Sequence, residues 1–169
     1  APAEAPTFAI TPATITITPN AGQAKVYGAD DPVLTFTATG AIAGQTPAFD
    51  GALARADGEA AGTYAFTLGT LAPKDNDAFL AANYSLALAE YVAPAVAPTF
   101  AITPVVITIT PSDDQSKAYG SDDPILAFTA TGAIAGETPA FTGALARAEG
   151  EAVGTYAITQ GTLALANGE

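Results

Sequence analysis

The sequence predicts a mainly β protein built from tandem small β domains, with little helix. Two observations carry this: short runs that alternate Ile or Leu with Thr, and a self-similarity of period 92. A third agrees with them, because Gly, Asp and Pro cluster between the runs, where the chain has to turn.

In chain order, Thr14-Ile15-Thr16-Ile17-Thr18 places Ile on one face and Thr on the other, the two-residue period of a half-buried strand. Thr suits the outer face, being β-branched yet compatible with water. Tyr27 to Pro32 and Thr39-Gly40 read as turns around a strand carrying Leu34, Phe36 and Ala38. Ala43-Gly44 and Asp57-Gly58-Glu59 are further turns, and Ala52 to Arg55 fits a strand or a helical turn equally. Tyr64-Ala65-Phe66 alternates again, and Asp77 to Ala82 has the local preference of a short helix. Tyr84, Leu86 and Leu88 mark a last strand. Ile107 to Thr110, Leu126 to Thr131 and Tyr156 to Ile158 repeat the same patterns.

The repeat is exact in spacing. Ala5 to Pro12 recurs letter for letter at Ala97 to Pro104, and 52 of the 73 pairs between 5–77 and 97–169 are identical without insertion. A period this long indicates whole small domains in a row, not a solenoid. The natural frame is residues 1–12 as the closing strand of a preceding repeat or a donor strand, 13–104 as a full repeat, and 105–169 as a second repeat without its last strands. The chain thus reads as a window onto a longer array.

Composition removes whole classes of function. Of 169 residues 41 are Ala, and Cys, His, Met and Trp are absent. Disulfides, thiolate or imidazole metal sites and Ser-His or Cys-His nucleophile pairs are therefore excluded. Five bases against 17 acids, a net charge of -12, make nucleic acid and anionic membrane poor partners. No run approaches the ~18 apolar residues of a membrane-spanning helix, so membrane insertion is not expected.

Gln115 to Pro124, Phe128-Thr129-Ala130-Thr131-Gly132, Gly143 to Glu151 and Gly154 to Ile158 together resemble the MBG family, tandem modules of very large bacterial surface proteins such as filamentous-haemagglutinin-like adhesins. Asn83 to Leu88 resembles the family's closing strand, and Ile10-Thr11-Pro12 with Ile102-Thr103-Pro104 its junction. The resemblance implies a β-grasp-like module, an extracellular address on the bacterial cell surface, and a structural or adhesive role.

The candidate sites are few. Asp30-Asp31 and Asp122-Asp123 read as turn-forming pairs; the rival reading is a calcium site, without the spacing of a known calcium loop. Arg55 with Glu59, and Arg147 with Glu151, read as salt bridges around a Gly turn and not as a catalytic pair. Lys25 and Lys117 are expected to lie along Tyr27 and Tyr119 with the ammonium in water, the rival being a Lys–Asp isopeptide bond. Tyr27 and Tyr64 are expected at the core or its rim with bonded hydroxyls.

The function expected is therefore structural: a tandem-repeat module serving as stalk or spacer, or as a building block of an extended filament. No catalytic residue and no cofactor is assigned. Neighbouring repeats, in the same or an adjacent identical chain, are the expected partners. Phe8, Ala9, Ile10 and Thr11 are the assembly candidates, since they duplicate a strand that the second repeat lacks; donated head to tail, they would build an end-to-end homopolymer. The alternative is an adhesive module that contacts host or matrix glycans or proteins through exposed loops such as Ala41 to Phe49. Residues Val92 to Pro98 are read as an extended, Pro-stiffened junction between domains.

Overall fold

The computed structural model describes residue 5 and residues 7–166. It contains two compact units, Ala1–Pro104 and Val105–Glu169. Both are mainly β.

Unit 1 runs through β1 (Ala13–Pro19), β2 (Ala24–Val26), β3 (Phe36–Thr39), β4 (Ala48–Asp50), β5 (Ala54–Arg55), β6 (Gly62–Thr67), β7 (Ala72–Lys74), a 3-10 turn (Ala81–Asn83), β8 (Tyr84–Leu88) and β9 (Thr99–Thr103). The Thr-Ile alternation of β1 does what its period requires: Ile15 and Ile17 are fully buried, each contributing about 1.5–3 kcal/mol of hydrophobic stabilisation. β1 pairs antiparallel with β3 and parallel with β8, in the order β3-β1-β8. A second sheet has the order β2-β9-β6-β5. β9 is central in it, parallel to β2 and antiparallel to β6, with Phe100 and Ile102 turned inward. A third ribbon pairs β4 with β7. Ile15, Ile17, Phe79, Phe100 and Ile102 belong to one cluster, so the sheets share a single core.

Three local readings change here. The Asp77 to Ala82 stretch is not a helix; only Ala81–Asn83 coils, as a 3-10 turn. Side chains compete with the helix: Asn76 Oδ1 accepts from the backbone N–H of Ala78 and Phe79, and Asp75 Oδ1 from that of Ala81 at 2.7 Å. Burial of Phe79, stacked on Tyr84 at 4.5 Å, then holds the loop in place. Ala54–Arg55 resolves as strand, because β6 supplies partners. Residues 92–98 are not an extended junction between domains. They turn within unit 1, where Ala95 N–H donates to Val92 O at 3.0 Å, and lead β8 into β9.

Unit 2 contains β10 (Thr108–Pro111), β11 (Phe128–Thr131), β12 (Phe141–Thr142), β13 (Ala146–Arg147), β14 (Ile158–Thr159) and β15 (Ala164–Leu165). They associate as the pairs β10-β11, β12-β15 and β13-β14. The register of β10 on β11, Thr108 opposite Thr131, is that of Thr16 opposite Thr39 moved by the repeat. The edge-to-face pair Phe36–Phe49 at 5.4 Å returns as Phe128–Phe141 at 5.3 Å. Strand structure is shorter, however. The strand expected from Tyr156 to Ile158 begins only at Ile158, whereas its counterpart β6 spans six residues beside β9. Among the described residues, Leu145 and Leu163 are the buried hydrophobics of unit 2.

Candidate functional site

The most organised chemistry in each unit is a four-residue ion cluster. In unit 1, β2 carries Lys25, the following turn Asp31, β5 Arg55, and the Gly58 turn Glu59. Lys25 Nζ lies 2.6 Å from Asp31 Oδ1 and 2.5 Å from Glu59 Oε2. Arg55 grips Asp31 with two nitrogens, at 2.7 and 3.0 Å, and reaches Glu59 Oε1 at 2.5 Å. It also donates to the carbonyls of Ala56 and Gly58, closing the turn on itself. The cationic side chains are 5% and 6% exposed, the carboxylates 39% and 64%. Above them the Arg55 guanidinium sits 5.0 Å from the Tyr64 ring and 5.3 Å from that of Phe100.

These contacts fix the charges. Hydrogen bonds to Asp31, then Glu59, raise the Lys25 ammonium above its usual range, and Asp31 does the same for Arg55. Arg55 first, then Lys25, hold the Asp31 carboxyl below the carboxylate range, and Lys25 with Arg55 lowers Glu59. Unit 2 repeats the arrangement with Lys117, Asp123, Arg147 and Glu151 at 2.5–2.9 Å. The shifts there have the same directions.

The Arg55–Glu59 and Arg147–Glu151 salt bridges thus form as expected, but as parts of quartets. The lysines correct the expectation: Lys25 does not extend its ammonium into water but turns it into the cluster. Isopeptide formation needs a neutral amine and a protonated carboxyl, and the quartet favours the opposite state of both. Asp31 and Asp123 each meet two cations, while Asp30 and Asp122 remain exposed on the turn. Among the described residues no group of three or more acidic side chains is arranged to hold a metal ion. Asp113-Asp114 stands where the first repeat has Ala21-Gly22, and Asp114 adopts a left-handed φ of 58°, as Gly22 does in unit 1, and so makes a turn.

Tyr64 is a rim aromatic with its hydroxyl donating to Ala60 O at 2.7 Å; Tyr156 bonds Ala152 O in the same way. In the loop Ala41 to Phe49, Phe49 packs on Phe36, and Gln45 accepts a 2.6 Å hydrogen bond from Tyr84. The loop is fastened to its own unit and exposes no aromatic ring. Lys74 pairs with Asp50 at 2.8 Å, so all five Lys and Arg side chains are engaged. Phe8 and Ile10 are 93% and 91% exposed, in contrast with Phe100 and Ile102.

One element escaped the sequence reading. Gln23 and Gln115 clip the strand ends together: Gln23 Nε2 donates to Asn20 O and Thr35 O, while its Oε1 accepts from Thr35 N–H at 2.6 Å. Gln115 does the same with Ser112 and Ala127. The signal was present, a Gln kept at the repeat offset among neighbours that differ.

A family model described as the MBG domain, YGX type, matches residues 15–90 and again 107–167. The chain belongs to this MBG family. Its two copies carry Tyr27-Gly28-Ala29 and Tyr119-Gly120-Ser121, each on the turn between the quartet's Lys and its Asp. The Lys, Asp, Arg and Glu of both quartets lie within the matched MBG segments. No curated protein and no solved structure matches the chain. No helix among the described residues is long and apolar enough to cross a membrane.

Proposed function

We propose that this MBG chain is a structural tandem-repeat module of an extracellular bacterial surface protein, acting as a stalk or spacer. The observation that carries the reading is the quartet. What recurs at the repeat offset is an internally satisfied clamp between β2, β5 and two turns, while every Lys and Arg is taken up in pairing. A module selected for binding would be expected to repeat an outward-facing recognition surface instead. The parallel pairing of β1 with β8, beside antiparallel β3, supports a β-grasp-like description of the unit. A net charge of -12 favours the solubility of such an array.

Single-molecule stretching of the chain, paired with binding assays on glycan and matrix-protein arrays, tests this. A spacer gives a discrete unfolding event for unit 1 and no saturable binding. Saturable binding that Ile42→Asp in the exposed loop abolishes would overturn the reading in favour of an adhesive module.

A further inference from the structure

Unit 1 contains two Asp-Gly steps, Asp50-Gly51 and Asp57-Gly58; at the repeat offset unit 2 has Thr142-Gly143 and Glu149-Gly150 instead. An Asp-Gly step carries a chemistry of its own. The nitrogen of the second residue can attack the Asp side-chain carbonyl carbon, and Gly, without a Cβ, hinders that approach least. The two steps are held differently. Asp50 ends β4, opposite Ala72 of β7, and Lys74 binds its carboxylate at 2.8 Å. Gly51 is wedged against the Thr70 carbonyl, and Ala52 after it exchanges hydrogen bonds with Thr70 through both N–H and C=O. Asp57 is exposed on a bend outside the strands, and among the described residues its carboxylate meets no ion-pair or hydrogen-bond partner. The Gly58 N–H likewise donates to no group there.

We propose that Asp57-Gly58 is a self-modification site, at which the chain converts through a succinimide to an isoaspartyl linkage. The Gly58 nitrogen forms a bond to Asp57 Cγ, and the side-chain hydroxyl departs with the amide proton as water. Water then adds to the Asp57 backbone carbonyl carbon and breaks its bond to the Gly58 nitrogen, which stays joined to Cγ. Nothing is oxidised or reduced, and the water lost is the water regained. The main chain now runs through Asp57 Cβ and Cγ, one carbon longer, and the former backbone carbonyl is a free carboxylate.

The surroundings give this step a consequence. A single nitrogen, Arg55 Nη1, donates to the carbonyls on either side of Asp57, to Ala56 O at 3.1 Å and to Gly58 O. An extra backbone carbon pushes those carbonyls apart, and Gly58 has no room to yield towards Tyr64, whose ring fills the space a Cβ would take. Isomerisation therefore loosens Arg55 and, through it, the hold on Asp31 and Glu59. Unit 2 keeps the clamp without the chemistry. Arg147 Nη1 spans Glu149 in the same way, from Ala148 O at 3.0 Å to Gly150 O, and the longer Glu side chain closes a larger ring far more slowly. The assignment is independent of the spacer reading.

Incubation of the 169-residue chain at neutral pH for several weeks tests it, followed by tryptic mapping with electron-transfer fragmentation and with fresh chain digested alongside. Cleavage after Lys25, Arg55 and Lys74 puts the two Asp-Gly steps on separate peptides, 26–55 and 56–74. The expected result is isoaspartate accumulating several times faster in 56–74 than in 26–55, with the denaturation midpoint of unit 1 falling in step. Asp57→Glu, which copies unit 2, abolishes both changes and leaves the midpoint of fresh chain in place. Equal rates on the two peptides overturn the site, as does an unmodified Asp57 under conditions that convert a free peptide of residues 55–60. Isoaspartate without a fall in midpoint, or a fall that persists in Asp57→Glu, overturns the link to the Arg55 clamp.

Discussion

The guanidinium of Arg55 lies 5.3 Å from the ring of Phe100, joining the ion quartet to the strand that completes the second sheet. The quartet and the closing strand are therefore parts of one structure: the ring covers the arginine, and the arginine in turn is held by Asp31 and Glu59. Four predictions follow from particular contacts.

Phe100→Ala removes a fully buried ring from the middle of β2-β9-β6. The cost expected from loss of burial and the cavity left behind is about 3–5 kcal/mol. Chemical denaturation measures this, and Arg55 becomes more exposed, as Arg147 already is. A loss well below this range would show that β9 contributes little to unit 1.

Stability depends on pH in two windows. Asp31, Glu59, Asp123 and Glu151 have lowered folded values, so their contribution is complete above the unfolded range near 4 and is lost as pH falls through the folded values. Lys25 and Lys117 have raised values, so theirs is complete below about 10.4 and is lost as pH rises through the folded values. Denaturation midpoints across pH should form a plateau with a fall on either side. Glu59→Gln with Glu151→Gln should flatten the acid limb; an unchanged limb would assign it to other carboxylates.

Gly51→Ala should destabilise by at least about 1 kcal/mol, because φ is +73° and an added Cβ would strike the Thr70 carbonyl oxygen. Gly143→Ala meets Thr162 in the same way. Gly22→Asp is the contrasting case: φ is +78° but the space is open, and Asp114 holds the equivalent place in unit 2. Thermal unfolding of the three variants should rank the first two clearly below the third.

Calcium should leave the thermal midpoint unchanged, since the oxygens of Asp31 and Asp123 already face Lys and Arg at 2.6–2.9 Å. Asp31→Asn should lower the midpoint equally in calcium and in EDTA. A calcium-dependent rise that this substitution abolishes would establish a metal role for Asp31.

Much of this was legible in sequence where the signal is local. The Thr-Ile alternation marked both β1 and β10 and their inner faces, buried in β1 and half-buried in β10, and spacing four marked Arg55–Glu59. The short strands β2, β4 and β7 were not legible. They hold only three residues each, with Ala or Pro among them, and exist because a partner strand lies alongside. Asp31 joins Arg55 from 24 residues away and Lys25 joins Glu59 from 34, distances at which no periodicity operates.

The sequence by itself determined the mainly β class, the repeat of 92, the absence of thiol and imidazole chemistry, and the recurrence of Lys25, Asp31, Arg55 and Glu59 as Lys117, Asp123, Arg147 and Glu151. Tertiary structure alone decided which of those charges meet, and where the closing strand goes. Thr-Phe-Ala-Ile-Thr occurs twice with the same letters, with Phe100 and Ile102 buried in one copy and Phe8 and Ile10 exposed in the other. Local preference is equal for the two, so the difference arises from neighbours: a strand is stabilised by the backbone groups and apolar surface beside it, and β2 and β6 provide both only for β9.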